Sequence, residues 1–144
     1  MDEQPAHPAL LDSAYHFGAS YAGVRSEVKQ VRDFLGKILA GHLCCDDAVL
    51  LGSEAATNAI QHSRSAYGTF DVRLWLPDAG PVLFAVRDSG GLSVPLAQPE
   101  SLTEETGRGV ALFNALAEDA ESFLHRWGFC HTERQTTVWF ELMP

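Results

Sequence analysis

The feature that most constrains this chain is the run Val82-Leu83-Phe84-Ala85-Val86, apolar at every position and followed by Arg87-Asp88-Ser89-Gly90-Gly91. A short, continuous apolar run bounded by turn residues has the character of a strand buried on both faces. It predicts a central strand that ends beside an aspartate, and the paired glycines require the chain to change direction there.

The surrounding pattern supplies the partners of such a strand. Phe70, Val72, Leu74 and Leu76 alternate as a half-buried strand should, and Pro77-Asp78-Ala79-Gly80 reads as a hairpin-type break. Val138, Phe140 and Leu142 alternate against Thr137, Trp139 and Glu141, which predicts a strand over 136–142; Ser122 to Phe129 is a further strand candidate, and a short alternation at Tyr15 and Phe17 comes first. Helical spacing appears in Val24, Val28, Val31, Leu35 and Leu39, stopping near Gly41. A second helix is expected from an N-cap at Asp46 or Asp47 through Val49, Leu50, Glu54, Asn58 and Ile60 to about His62. A third opens at Gly107-Arg108-Gly109 and continues through Val110, Phe113, Leu116 and Ala117. The expected fold class is α+β, a two-layer sandwich with a mixed, mostly antiparallel sheet and helices on one face. Residues 1–13 read as a flexible N-terminal segment, 14–144 as one domain, and about 92–106, which lacks periodicity and carries two prolines, as a lid loop.

Composition narrows the function. With 144 residues, 46% hydrophobic, the chain is long enough for a core without disulfide staples. Its 10 Lys plus Arg stand against 19 Asp plus Glu, a formal charge of −9, and duplex binding draws much of its affinity from cations on phosphate, so nucleic acid is a poor partner. No apolar run approaches the ~20 residues that span a bilayer, and the N-terminus lacks a signal-peptide pattern, so a cytoplasmic protein without membrane contact is expected. Cys44, Cys45 and Cys130 are odd in number and lack C-x-x-C spacing, which suits a reducing compartment. A metal cluster of His42, Cys44, Cys45, Cys130 and His131 is the weaker reading, because structural zinc sites usually show paired knuckles. The only lysines are Lys29 and Lys37, and no G-x-x-x-x-G-K-[ST] loop exists, so phosphate would have to be held in another way.

Glu54, Asn58 and His62 recur every four residues and so share one helical stripe. Alone, such a stripe is more often a solvated helix face than a site. Its company changes that weighing: an aspartate at the end of a buried strand, then a loop, then a Gly-Arg-Gly opening a helix whose free N–H groups could receive phosphate.

The ordered set Glu54-Ala55-Ala56-Thr57-Asn58-Ala59-Ile60-Gln61-His62, Val86-Arg87-Asp88-Ser89-Gly90, Thr106-Gly107-Arg108-Gly109-Val110-Ala111-Leu112 and Thr137-Val138-Trp139-Phe140-Glu141-Leu142 resembles the histidine-kinase-like ATPase superfamily with the Bergerat nucleotide fold. Within it, the chain is most similar to small stand-alone proteins of the anti-sigma-factor serine-kinase type. The resemblance spans about Tyr15 to the C-terminus. It implies ATP and Mg²⁺ as cofactors, Asn58 as the Mg²⁺ ligand, and Glu54 as the base that accepts the proton of an attacking serine hydroxyl. It further implies Asp88 as acceptor for the adenine amino group, Gly90 and Gly91 as the adenine-side box, and Gly107, Arg108, Gly109 and Val110 as the phosphate-side box. Thr137 would lie near adenine, and His62 would contact phosphate or solvent. The implied partners are an anti-sigma antagonist protein, a sigma factor, or both, with a homodimer as the assembly. Two departures favour an alternative, an inactive interaction module of the same fold. Asp88-Ser89-Gly90-Gly91-Leu92 differs from the family's Asp-x-Gly-x-Gly, and Glu100, Glu104 and Glu105 put negative charge in the lid.

Overall fold

The computed structural model describes residues 14–62, 68–88, 112–131 and 136–144. Strands β1 (Phe17–Ala22), β2 (Thr69–Trp75), β3 (Val82–Asp88), β4 (Leu124–His131) and β5 (Thr136–Leu142) form one sheet in the order β1-β2-β3-β5-β4. All four pairings are antiparallel. The run Val82 to Val86 is therefore the middle strand, and every one of its five residues is buried. Helices α1 (Val28–Ile38) and α2 (Cys45–His62) are joined by a short turn, and a third helical segment, α3, covers 112–118.

Alternation along the strands assigns the two faces. Phe70, Val72 and Leu74 of β2, Val82, Phe84 and Val86 of β3, and Phe140 and Leu142 of β5 join one core with Val28, Val31 and Leu35 of α1 and Ala48, Leu51, Ala55 and Ala56 of α2. Full burial of each large side chain is worth about 1.5–3 kcal/mol, so this cluster dominates the stability of the domain. Aromatic contacts seat α3: Phe113 meets Phe140 and Trp127 edge-on at 4.9 and 5.0 Å, Phe84 stacks on Phe140 at 4.9 Å, and Trp127 Nε1 donates to Asn114 Oδ1 at 3.2 Å. At the other end of the layer, Tyr21 lies near α1. Its phenol is pushed above the ordinary range by burial first, then by the charges of Glu27 and Asp33.

Two helix starts differ from the sequence expectation. Val24 continues the helical period but is extended at φ −126°, ψ 148°, and a 3₁₀ turn over Arg25–Glu27 precedes α1. Periodicity fixes which residues face the core, not where the first turn closes. In α2, Asp46 and Asp47 fall within the first turn, where acidic groups suit the helix dipole, while His42 Nδ1 accepts the Cys44 N–H at 3.0 Å just upstream. Gly41, at φ +82°, makes the left-handed turn that ends the α1 region, as its position suggests.

Close approach of α1 and α2 depends on Gly52. A Cβ at this position would collide with Leu35 Cδ1 and would also touch Phe84 and Val31. Because Leu35 is fully buried, it has little room to yield. Gly52→Val should therefore lower unfolding stability by about 1–3 kcal/mol, measured as a shift in the urea midpoint at unchanged m-value; an unshifted midpoint would show that the helices do not pack this tightly.

Candidate functional site

Site geometry follows from how α2 lies on the sheet. Its α1-facing side carries Gly52 against Leu35 and Val49 against Gly36. Helical rotation of 100° per residue puts Asp47, Glu54 and Asn58, spaced by seven and then four residues, together on the opposite side of the helix. Asp47 confirms this direction, because its Oδ2 accepts the Phe123 N–H at 2.8 Å and the Ser122 hydroxyl at 3.3 Å, at the start of β4. Glu54 and Asn58 therefore border the gap between α2 and the α3–β4 side, and both are half-buried. Thr57 faces elsewhere and bonds back to the Ser53 carbonyl at 2.8 Å.

Position along the helix is set in the same way. Asp47 marks the end of the sheet where Leu124 pairs with Leu142 and Leu142 with Val82. Gly52 lies over Phe84. From there α2 climbs about 9 Å to Asn58, while β3 climbs about 13 Å to Asp88. Both therefore run toward the same end of the sheet.

Asp88 is the last residue of β3 and only 3% exposed. It opposes Phe70 on β2 and Thr136 on β5, so its side chain shares the face of Phe70, the face covered by helices. A carboxylate in that position is a fixed acceptor, directed into the helix layer at the end where Asn58 and Glu54 line the gap. The other buried acid among the described residues, Glu141, lies on the opposite face and accepts Arg126 Nε at 2.7 Å.

The register reassigns one residue. Thr137 opposes Arg87, not Asp88, and therefore lies on the outer face, away from α2. Thr136 is the threonine that shares the side of Asp88. Alternation within 136–142 was readable, but its phase relative to β3 is a long-range property, and only the cross-strand pairing supplies it. His62 forms the last turn of α2, with its side chain outside the described residues; Gly90, Gly91, Gly107, Arg108, Gly109, Val110 and the 92–106 lid also lie outside them. Both lysines are on α1. Cys44 is buried, and burial first, then the Asp47 charge, pushes its thiol above the ordinary range, which suits packing rather than reactivity.

With this geometry in view, comparison with protein families matches residues 18–140 to the Histidine kinase-like ATPase domain. The chain belongs to this family. A comparison with curated protein sequences found no match. The ATPase assignment supports ATP binding, and the residues present fit that ligand. Asp88 offers a buried acceptor of the kind an exocyclic amine needs, and the Asn58 amide oxygen is the type of oxygen donor a hard, phosphate-bound cation prefers. Among the described residues no helix is long and apolar enough to cross a membrane.

If Thr136 and not Thr137 borders the nucleotide, Thr136→Val should weaken ATP binding severalfold in calorimetry, while Thr137→Val leaves it unchanged. The reverse order would overturn the register-based assignment.

Proposed function

We propose that this ATPase domain is a Mg·ATP-dependent regulatory kinase of the anti-sigma serine-kinase type, acting in the cytoplasm on a small antagonist protein and, in its other role, sequestering a sigma factor. What supports the reading is a buried Asp88 at the end of β3 toward which α2, with its half-buried Glu54 and Asn58 stripe, runs. Each residue then has a distinct task. Asp88 accepts from the adenine amino group, selecting adenine over a base that presents a carbonyl there. Asn58 would contribute an amide oxygen to Mg²⁺, which when bound neutralises phosphate charge. Glu54, one turn before Asn58, would receive the proton of the incoming serine hydroxyl as its oxygen bonds to the γ-phosphorus of ATP and the bond from that phosphorus to the bridging oxygen breaks, ADP leaving. Phosphoryl transfer asks mainly for positioning and charge neutralisation, so a half-buried carboxylate on a rigid helix suits that role.

The partner class rests on the family resemblance of the motifs and on the net charge of −9, which disfavours nucleic acid. A second reading, a nucleotide-weak interaction module, is favoured by the displaced glycine in Asp88-Ser89-Gly90-Gly91 and by Glu100, Glu104 and Glu105. Labelled-ATP transfer to a candidate antagonist separates the two. Glu54→Gln should retain nucleotide binding and lose about 10²–10⁴-fold in transfer rate. Equal transfer by the variant would remove Glu54 as base, and no heat of binding by the parent chain at millimolar nucleotide would leave the interaction module.

A further inference from the structure

The sheet face turned away from the helices carries a second apolar cluster of Trp75, Leu83, Ala85 and Trp139, to which no helical residue contributes. These residues are contiguous: Trp75 opposes Leu83, and Ala85 opposes Trp139. Their exposures are 6%, 4%, 2% and 3%. Beyond the Tyr15 ring, which lies edge-on to Trp75, no helix or strand among the described residues covers this cluster.

The chain itself leads to this patch. Gly18 opposes Arg73, so it lies on the outer face, and a Cβ there would stand 2.6 Å from the Tyr15 ring. The ring thus crosses the outer face, edge-on to Trp75 at 6.2 Å and beneath the Arg73 guanidinium at 4.8 Å. His16 fixes the approach, donating its N–H to the Leu74 carbonyl at 2.9 Å and accepting the Leu76 N–H on Nδ1 at 2.8 Å. The chain upstream of Tyr15 consequently starts on the outer face beside Trp75, at the end of the sheet away from Asp88.

We propose that the N-terminal segment, residues 1–13, docks in cis across this face, with Leu10 and Leu11 seated on Trp75, Leu83, Ala85 and Trp139. The reach is sufficient. From β2 across β3 to β5 is about 10 Å, and the four or five residues between Leu10 or Leu11 and Tyr15 extend about 13–17 Å. Composition agrees, since Ala9, Leu10 and Leu11 are the apolar run of the segment. The segment so placed is a structural cover that withholds the outer face from other proteins, including a second copy of the chain. This differs from the flexible tail that its lack of periodicity suggests.

The test uses the full chain in a Trp127→Phe background, so that Trp75 and Trp139 alone report. Leu10→Asp/Leu11→Asp should raise acrylamide quenching severalfold and red-shift the emission, with far-UV circular dichroism and ATP binding unchanged. In the unsubstituted chain, amide hydrogen exchange at residues 8–13 should be slowed well below the free-peptide rate at every protein concentration. Unchanged quenching in the double variant, or free-peptide exchange at 8–13, would overturn the proposal. So would quenching that rises on dilution together with dimer dissociation in sedimentation, because the cover would then be a second copy.

Discussion

Everything at the site depends on how α2 is held on the sheet. Two contacts fix it: Gly52 allows α1 and the Phe84 ring close against the helix, and Asp47 binds the backbone at Phe123. The first sets the distance and the second sets the rotation and axial position. With both in place, the stripe carrying Glu54 and Asn58 has one direction available, toward the α3 side and the Asp88 end. Neither Gly52 nor Asp47 needs to meet a ligand to matter in this way. A helix rotated by a single residue would turn the stripe by 100° and remove both side chains from the gap.

The sequence made the middle of this arrangement readable, because its signals are local. Val82 to Val86 is apolar without interruption, and a chain so built must be a central strand; Asp88 then falls at the strand end by counting. Glu54 and Asn58 share a stripe because four residues are close to one helical turn. The unreadable parts are those set by pairing across the sheet. Thr136 and Thr137 are indistinguishable until β5 is registered against β3. Trp139 looks like the solvent side of a half-buried strand, yet is buried on the outer face. Val24 fits the helical period of α1 and is nevertheless extended, since one matching residue does not define a helix end.

The two faces of the sheet divide the work. The inner face joins α1, α2 and α3 into the main core, and Asp88 lies buried at its β3 end. The outer face carries the tryptophan cluster and the charged network in which Asp71 accepts Ser20 at 2.8 Å and Arg87 at 3.1 Å. Membership of the histidine kinase-like ATPase family agrees with the inner face, while the outer face is a property of this chain's own side chains. Among the described residues, Lys29, Arg32 and Lys37 lie on α1, while Arg73 and Arg87 lie on the outer face and Arg126 pairs there with Glu141.

Asp88 is buried at the end of β3, and its proposed role is to select adenine. Calorimetric titration of the parent chain and of Asp88→Asn with Mg·ATP and Mg·GTP tests it directly. The account predicts that the parent binds ATP and discriminates against GTP, and that Asp88→Asn loses ATP binding by at least about tenfold, the equivalent of about 1.4 kcal/mol, with the preference for adenine gone. Equal binding of ATP by both proteins, with discrimination retained, would contradict it.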